Sequence, residues 1–186
     1  MVELLFGVGL IAVISAMTIP ASMNTMSHLR ISGDAHGMVN NVLTAKMRAA
    51  SDFTRTRLFV DLADRSYHIE TWRKSGTPGW ITQGGIVGLS QGISFSFGSL
   101  ASAPPNTQAT IAQAPACLDD EGTAIGDTAC VLFNTRGIPI DSTGGPTGVD
   151  ALYATDGTAV YGATVSATGF VQLWRSRSAT ASWVRQ

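Results

Sequence analysis

The chain has 186 residues and a formal net charge of −1, and it is 45% hydrophobic but only 13% charged, against about 25% charged in ordinary soluble domains. That length suits one domain, with or without an appendage, and excludes a long repeat array or a multidomain enzyme; the apolar content excludes disorder. Charge is uneven along the chain, with a balance of +3 from Arg30 to Lys74, −6 from Pro115 to Gly157, and +3 from Arg175, Arg177 and Arg185, so the total says little about partners.

From Leu4 to Ile19 the sequence is uncharged, and the next ionisable residue after Glu3 is His28. Those residues make roughly 24 Å of helix, and extension to Ser27 covers the ~30 Å hydrocarbon core of a bilayer, so a single membrane-crossing helix is expected. A secretory signal peptide fits badly, because such signals open with basic residues, whereas this one opens with Glu3 and reaches no arginine or lysine before Arg30. A carboxylate in the membrane costs about 2.5–3.5 kcal/mol on insertion scales, so Glu3 needs a partner.

Met1-Val2-Glu3-Leu4-Leu5, the apolar run behind it and Pro20 together resemble the N-terminal segment of type IV pilins and type II secretion pseudopilins. The resemblance implies that Glu3 neutralises the N-terminal amine of a neighbouring subunit, that Leu4 and Leu5 open the apolar assembly surface, and that Pro20 marks a kink or melted stretch, in keeping with its missing N–H. It also implies a basic leader and a prepilin peptidase site ahead of Met1, other pilin or pseudopilin subunits as partners, and residence in the bacterial inner membrane with a periplasmic head before assembly.

Beyond Pro20, Ile31, Ala35, Met38, Val42, Ala45 and Ala49 recur at spacings of three and four, the pattern of one buried helix face. Gly33 and Gly37 each weaken that helix by about 1 kcal/mol relative to Ala, so packing must hold it. After Arg57 the period becomes two. Leu58, Val60 and Leu62 alternate with Phe59 and Asp61, as Tyr67, Ile69 and Thr71 do with His68, Glu70 and Trp72, and the four residues Ala63-Asp64-Arg65-Ser66 between them predict a β-hairpin. Further strands are predicted at Ile93–Phe97, Cys130–Phe133, Ala159–Val165 and Phe170–Arg175. The 20 Gly and 7 Pro suit short strands and loops. The fold expected is α+β: a long N-terminal helix, membrane-spanning in its first half, packed on an antiparallel β-sheet head.

Lys46-Met47-Arg48-Ala49-Ala50, the Val60-Asp61-Leu62 strand, Trp80, Phe133-Asn134-Thr135-Arg136-Gly137-Ile138-Pro139 and a closing strand from Gly169 to Arg177 are similar to the pseudopilin H and FimT-like group. On that reading residues 1–27 are the transmembrane and filament-core helix and 28–56 its amphipathic continuation. Residues 57–175 are the β head with a loop insertion at 101–129, and 176–186 a basic tail. An oxidising periplasm makes a Cys117–Cys130 disulfide the natural expectation, worth about 3 kcal/mol.

Gly88-Leu89-Ser90-Gln91-Gly92 matches the G-x-S-x-G pattern, but a nucleophile elbow needs a helix after the turn, and here a strand pattern follows with no later histidine for a triad. Catalysis and a small-molecule substrate are not expected, and no cofactor is implied. His28, His36 and His68 lack zinc-like spacing. Asp119, Asp120, Glu121 and Asp127 have oxygen ligands suited to Ca²⁺ but no EF-hand order, so a solvated acidic loop is the reading.

The C-terminal segment interleaves Trp174, Arg175, Arg177, Trp183 and Arg185 without an acid. Arginine neutralises phosphate and tryptophan stacks on bases, so two uses follow. The segment is either an exposed edge of a secretion-type structural subunit, or a contact for double-stranded DNA as in FimT-like uptake pilins. Those carry a Gly-Arg-x-Arg motif, of which Arg175-x-Arg177 is present here and Trp174 replaces the Gly. The acidic zone favours the first use.

Overall fold

The computed structural model describes the backbone of residues 2–177 and 182–186 and, within the first helix, side chains from Met26 onward. Glu3, Leu4, Leu5 and Pro20 therefore lie outside the residues whose side chains are described. Among the described residues no helix is long and apolar enough to cross a membrane, and the side chains of the run Leu4–Ile19 lie outside that statement.

One helix, α1 (Val2–Ser51), is followed by strands β1 (Thr56–Asp61), β2 (Ser66–Arg73), β3 (Gly79–Gly88), β4 (Thr128–Phe133), β5 (Pro139–Ile140), β6 (Asp150–Thr155), β7 (Ala159–Val165), β8 (Val171–Arg177) and β9 (Val184–Arg185). The strands form two antiparallel sheets, one ordered β3-β2-β1-β4-β5 and the other β6-β7-β8-β9. An isolated bridge between Ser94 and Thr155 lies at the edge of the second sheet. The fold is α+β and pilin-like, one N-terminal helix packed on antiparallel sheets.

The predicted helix face is the core. Ile31, Ala35, Met38, Val42, Ala45 and Ala49 are all fully buried, and burying each larger one contributes about 1.5–3 kcal/mol. They meet Leu58, Val60, Tyr67, Val131 and Phe133 of the first sheet and Leu152, Ala154, Tyr161 and Leu173 of the second. Alternation puts Arg57, Phe59, His68, Glu70 and Trp72 on the opposite face of the first sheet. The hairpin predicted around Ala63-Asp64-Arg65-Ser66 is β1–β2, with Leu58 opposite Ile69 and Val60 opposite Tyr67. Arg65 supplies a left-handed residue at φ 54° in its turn.

Ile93–Phe97 is not a strand: Ile93 and Phe95 are buried, but the segment pairs only through Ser94. The alternation there reflects packing between two apolar clusters, not a ladder. A smaller cluster of Leu100, Ile111, Ala151, Tyr153 and Val160, with Phe97 and Trp183 against it, covers the second sheet's other side.

Two polar contacts fasten the helix to the second sheet. Ser27 Oγ donates to Asp156 Oδ2 at 3.2 Å, and Lys46 Nζ donates to the Gly169 carbonyl at 2.8 Å. The β6–β7 turn and the end of β8 thus sit at the lower end of the head, toward the apolar segment, and the β7–β8 turn at the upper end.

Candidate functional site

Arg175 and Arg177 lie on one face of β8, since alternate strand residues share a face. Their face is the one that carries Leu173, which packs into the main core with α1. Arg185 pairs with Trp174, and Val184 pairs with Arg175, so Arg185 belongs to the opposite face, where its guanidinium lies 5.7 Å from the Phe170 ring centroid. The three arginines of the closing segment therefore do not form one patch. Arg73 and Lys74 are remote from all of them. Arg73 Nε donates to Thr77 O at 2.8 Å, and Lys74 Nζ donates to the carbonyl of Phe53, beyond the upper end of α1 and about 35 Å along the helix from His28.

What joins Arg175 and Arg177 comes from elsewhere in the chain. They line an opening of about 360 Å³ with Ser27 and His28 of α1 and Thr158 and Ala159 of the β6–β7 turn and β7. The Arg175 guanidinium lies 5.8 Å from the Tyr161 ring centroid, and its Nε is buried with no hydrogen-bond acceptor. Ser27 and His28 were not legible as members of this group, because nothing in the sequence brings residue 28 to residue 177.

A second cavity, of about 310 Å³, lies on the outer face of the first sheet beneath the loop that carries Asp119, Asp120 and Glu121. Its floor is built on Arg57, which is 4% exposed. Arg57 Nε donates to Glu70 Oε2 at 2.6 Å, its Nη1 donates to the Leu118 carbonyl at 2.5 Å, and its guanidinium lies 4.0 Å from the Trp80 ring centroid. Burial pulls the Arg57 pKa below its ordinary value, opposed by Glu70 and Asp120. Trp72 meets Trp80 edge to face at 5.2 Å, with Arg55 over its ring at 4.9 Å. The strand register places Arg57 opposite Glu70, so this pair was readable from the predicted hairpin and was missed. On the cavity wall Asp150 is 4% exposed, and burial, with Asp141 second, pushes its carboxyl up to about 6.

The acidic loop spends its carboxylates on its own backbone and on β3. Asp119 Oδ1 accepts from the N–H groups of Glu121 at 3.1 Å and Thr123 at 2.7 Å, and Asp120 Oδ1 from Trp80 N at 2.9 Å. Among the described residues no group of three or more His, Cys, Asp or Glu is placed to hold a metal ion. Cys117 and Cys130 form a disulfide that ties this loop to β4. Ser90 is a clamp, with its N–H and hydroxyl donating to the two carboxylate oxygens of Asp34 at 2.8 and 3.0 Å. Those bonds fasten the end of β3 to α1 and commit the hydroxyl to a structural contact.

No protein-family model matches this sequence, and no curated protein does. Two solved structures of the minor pseudopilin EpsH from the type II secretion system of Vibrio cholerae are similar to it. One is 12% identical over 77% of this chain and 95% of that chain, with a TM-score of 0.49. The other is 13% identical over 77% and 91%, with a TM-score of 0.44. The match is structural, spans most of the chain, and comes at low sequence identity.

Proposed function

We propose that the chain is a minor pilin or pseudopilin subunit of a type II secretion pseudopilus or a type IV pilus, acting by filament assembly and not by catalysis. The observation that carries this reading is the join between the Val2-Glu3-Leu4-Leu5 segment and the head. The helix that begins with that motif runs to Ser51 as one element, and one face of its second half is buried against both sheets. A helix built this way transmits the position of an apolar filament-core segment directly to the head. Glu3 sets register against a neighbour's N-terminal amine, Leu4 and Leu5 begin the buried assembly surface, and Pro20 allows the apolar half to adjust. The inner membrane holds the subunit before assembly, prepilin peptidase processes it, and other pilin or pseudopilin subunits are its partners.

The test is Glu3→Gln in the full-length protein, co-expressed with its assembly genes. The subunit is expected to remain in the inner-membrane fraction and to disappear from sheared filaments. Incorporation at the wild-type level would sink the assignment of Glu3 alone, whereas absence of the wild-type subunit from sheared filaments would sink the assembly reading.

Contact with double-stranded DNA is the second reading, favoured by the unpartnered Nε of Arg175 beside Arg177. Because Arg185 lies across the sheet, two arginines and not three serve such a contact. The salt slope expected of DNA binding is then about −2, at roughly −0.9 per phosphate neutralised.

A further inference from the structure

The lower end of the head has the donors of an anion site. Two guanidinium groups, Arg175 and Arg177, share one opening with the His28 imidazole, and the hydroxyls of Ser27 and Thr158, which donate to Asp156, form its rim. Arg175 is held against the sheet over Tyr161, yet its buried Nε donates to nothing. An unsatisfied buried donor costs about 1–3 kcal/mol, and guanidinium forks match phosphate oxygens in geometry. Asp156 borders the opening, but its charge is turned inward. Its Oδ1 accepts from Thr158 N, Thr158 Oγ1 and Ala159 N, each at 2.8 Å, and its Oδ2 from Ser27. The two arginines outweigh it in charge.

Height along α1 decides which anion this is. Twenty residues counted from Leu4 end at Met23 and make the ~30 Å needed to cross the hydrocarbon core. His28 lies five residues further, about 7.5 Å, within a headgroup layer roughly 5–8 Å deep on each side. On the same helical turns Met26 and Leu29 are 54% and 66% exposed, apolar side chains that suit an interface and not open water. We infer that the opening between His28 and the Arg175–Arg177 edge of β8 binds the phosphodiester of an anionic phospholipid headgroup, docking the head on the membrane surface before assembly. The inference rests on the reading of the N-terminal segment as membrane-spanning.

The test uses the full-length chain in nanodiscs containing equal parts of phosphatidylcholine and phosphatidylglycerol, with retained lipid counted by native mass spectrometry. Preference for phosphatidylglycerol is expected to fall about fivefold in Arg177→Gln and about thirtyfold in Arg175→Gln/Arg177→Gln, at about 1 kcal/mol for each arginine near the surface. Arg185→Gln, on the other face, is expected to keep the wild-type preference. Arg177 is exposed, so its single variant tests the site without disturbing the core. Equal preference in wild type and the double variant overturns the inference. Displacement of the retained lipid by inorganic phosphate makes this a small-anion site, and displacement by a short DNA duplex makes it a nucleic-acid site; either overturns the lipid assignment. Failure of the wild type to insert into phosphatidylcholine nanodiscs overturns the membrane-anchor reading itself, whereas insertion without lipid preference overturns this inference alone.

Discussion

Arg57 and Arg175 both project from a strand over an aromatic ring, and their surroundings separate two uses of the same side chain. Arg57 gives its donors to Glu70 and to the Leu118 carbonyl and lies against Trp80. Each of these neighbours belongs to the head, so Arg57 is architecture: it fastens the disulfide-bearing loop to the first sheet. Arg175 rests on Tyr161 and leaves its Nε without an acceptor beside an opening. A buried donor left open is a cost the fold retains, and such a cost is offset when a partner supplies the missing oxygen. The burial of an arginine says little by itself, and what its donors meet says more.

The comparison is sharpest under substitution. Arg57→Met leaves Glu70 only its contact with His68 Nε2 at 3.2 Å and is expected to cost about 3–5 kcal/mol, read as a fall in the urea midpoint of the full-length protein. Arg57→Met/Glu70→Met is expected to recover most of that loss, because the pair is replaced by apolar groups of similar volume. A loss below about 1 kcal/mol in the single variant would mean that the pair is screened as a surface ion pair is, and the contrast with Arg175 would fail.

Cys117→Ala/Cys130→Ala tests the same anchor from the loop side. Removing a bridge across a sequence separation of 13 is expected to cost about 3 kcal/mol, and to expose the backbone around Leu118 to faster amide exchange. Unchanged exchange there would show that Arg57 holds the loop without the disulfide.

Asp150 gives a pH signature. Its carboxyl is raised from 3.8 to about 6 by burial first and Asp141 second, so between those values the folded state binds more protons than the unfolded one. Its contribution to stability is therefore fully present below about pH 4, falls as pH rises to about 6, and is constant above. A carboxyl raised that far changes stability by at most about 3 kcal/mol across the window. Asp150→Asn is expected to raise stability at neutral pH and to remove that decline, checked by thermal unfolding across the range. A decline of the same size in the variant would assign it to another group.

The smallest effect is expected at Arg175. Arg175→Met removes a buried donor that has no acceptor and keeps the packing over Tyr161, so stability is expected to stay level or rise by about 1 kcal/mol, in the same urea assay. A loss as large as that of Arg57→Met would show that Arg175 is also architecture.

Much of the scaffold was legible locally. The spacing of Ile31 through Ala49 named the buried helix face residue by residue, because a helix packed on sheets buries one stripe and repeats it every three or four positions. The β1–β2 hairpin was legible for the equivalent reason at period two. β6 was not, since all six of its residues are buried and a strand covered on both faces shows no alternation. β3 was missed because five of its last six residues are exposed and three are glycines, so it carries little apolar signal. Ile93–Phe97 alternates without a ladder, because two clusters take its apolar side chains.

The sequence by itself determined the helix and its inward face, the α+β class, the hairpin and the apolar segment with Glu3 at its start, since each depends on neighbours within a few turns or one strand pair. Only the tertiary structure decided that Arg175 and Arg177 meet Ser27 and His28 while Arg185 turns away, and that Ser90 is a clamp on Asp34. Those convergences join residues far apart in the chain, and they follow from strand order and from the way both sheets lie on α1. Periodicity reports which side of an element is buried; packing between elements alone determines what is buried beside it.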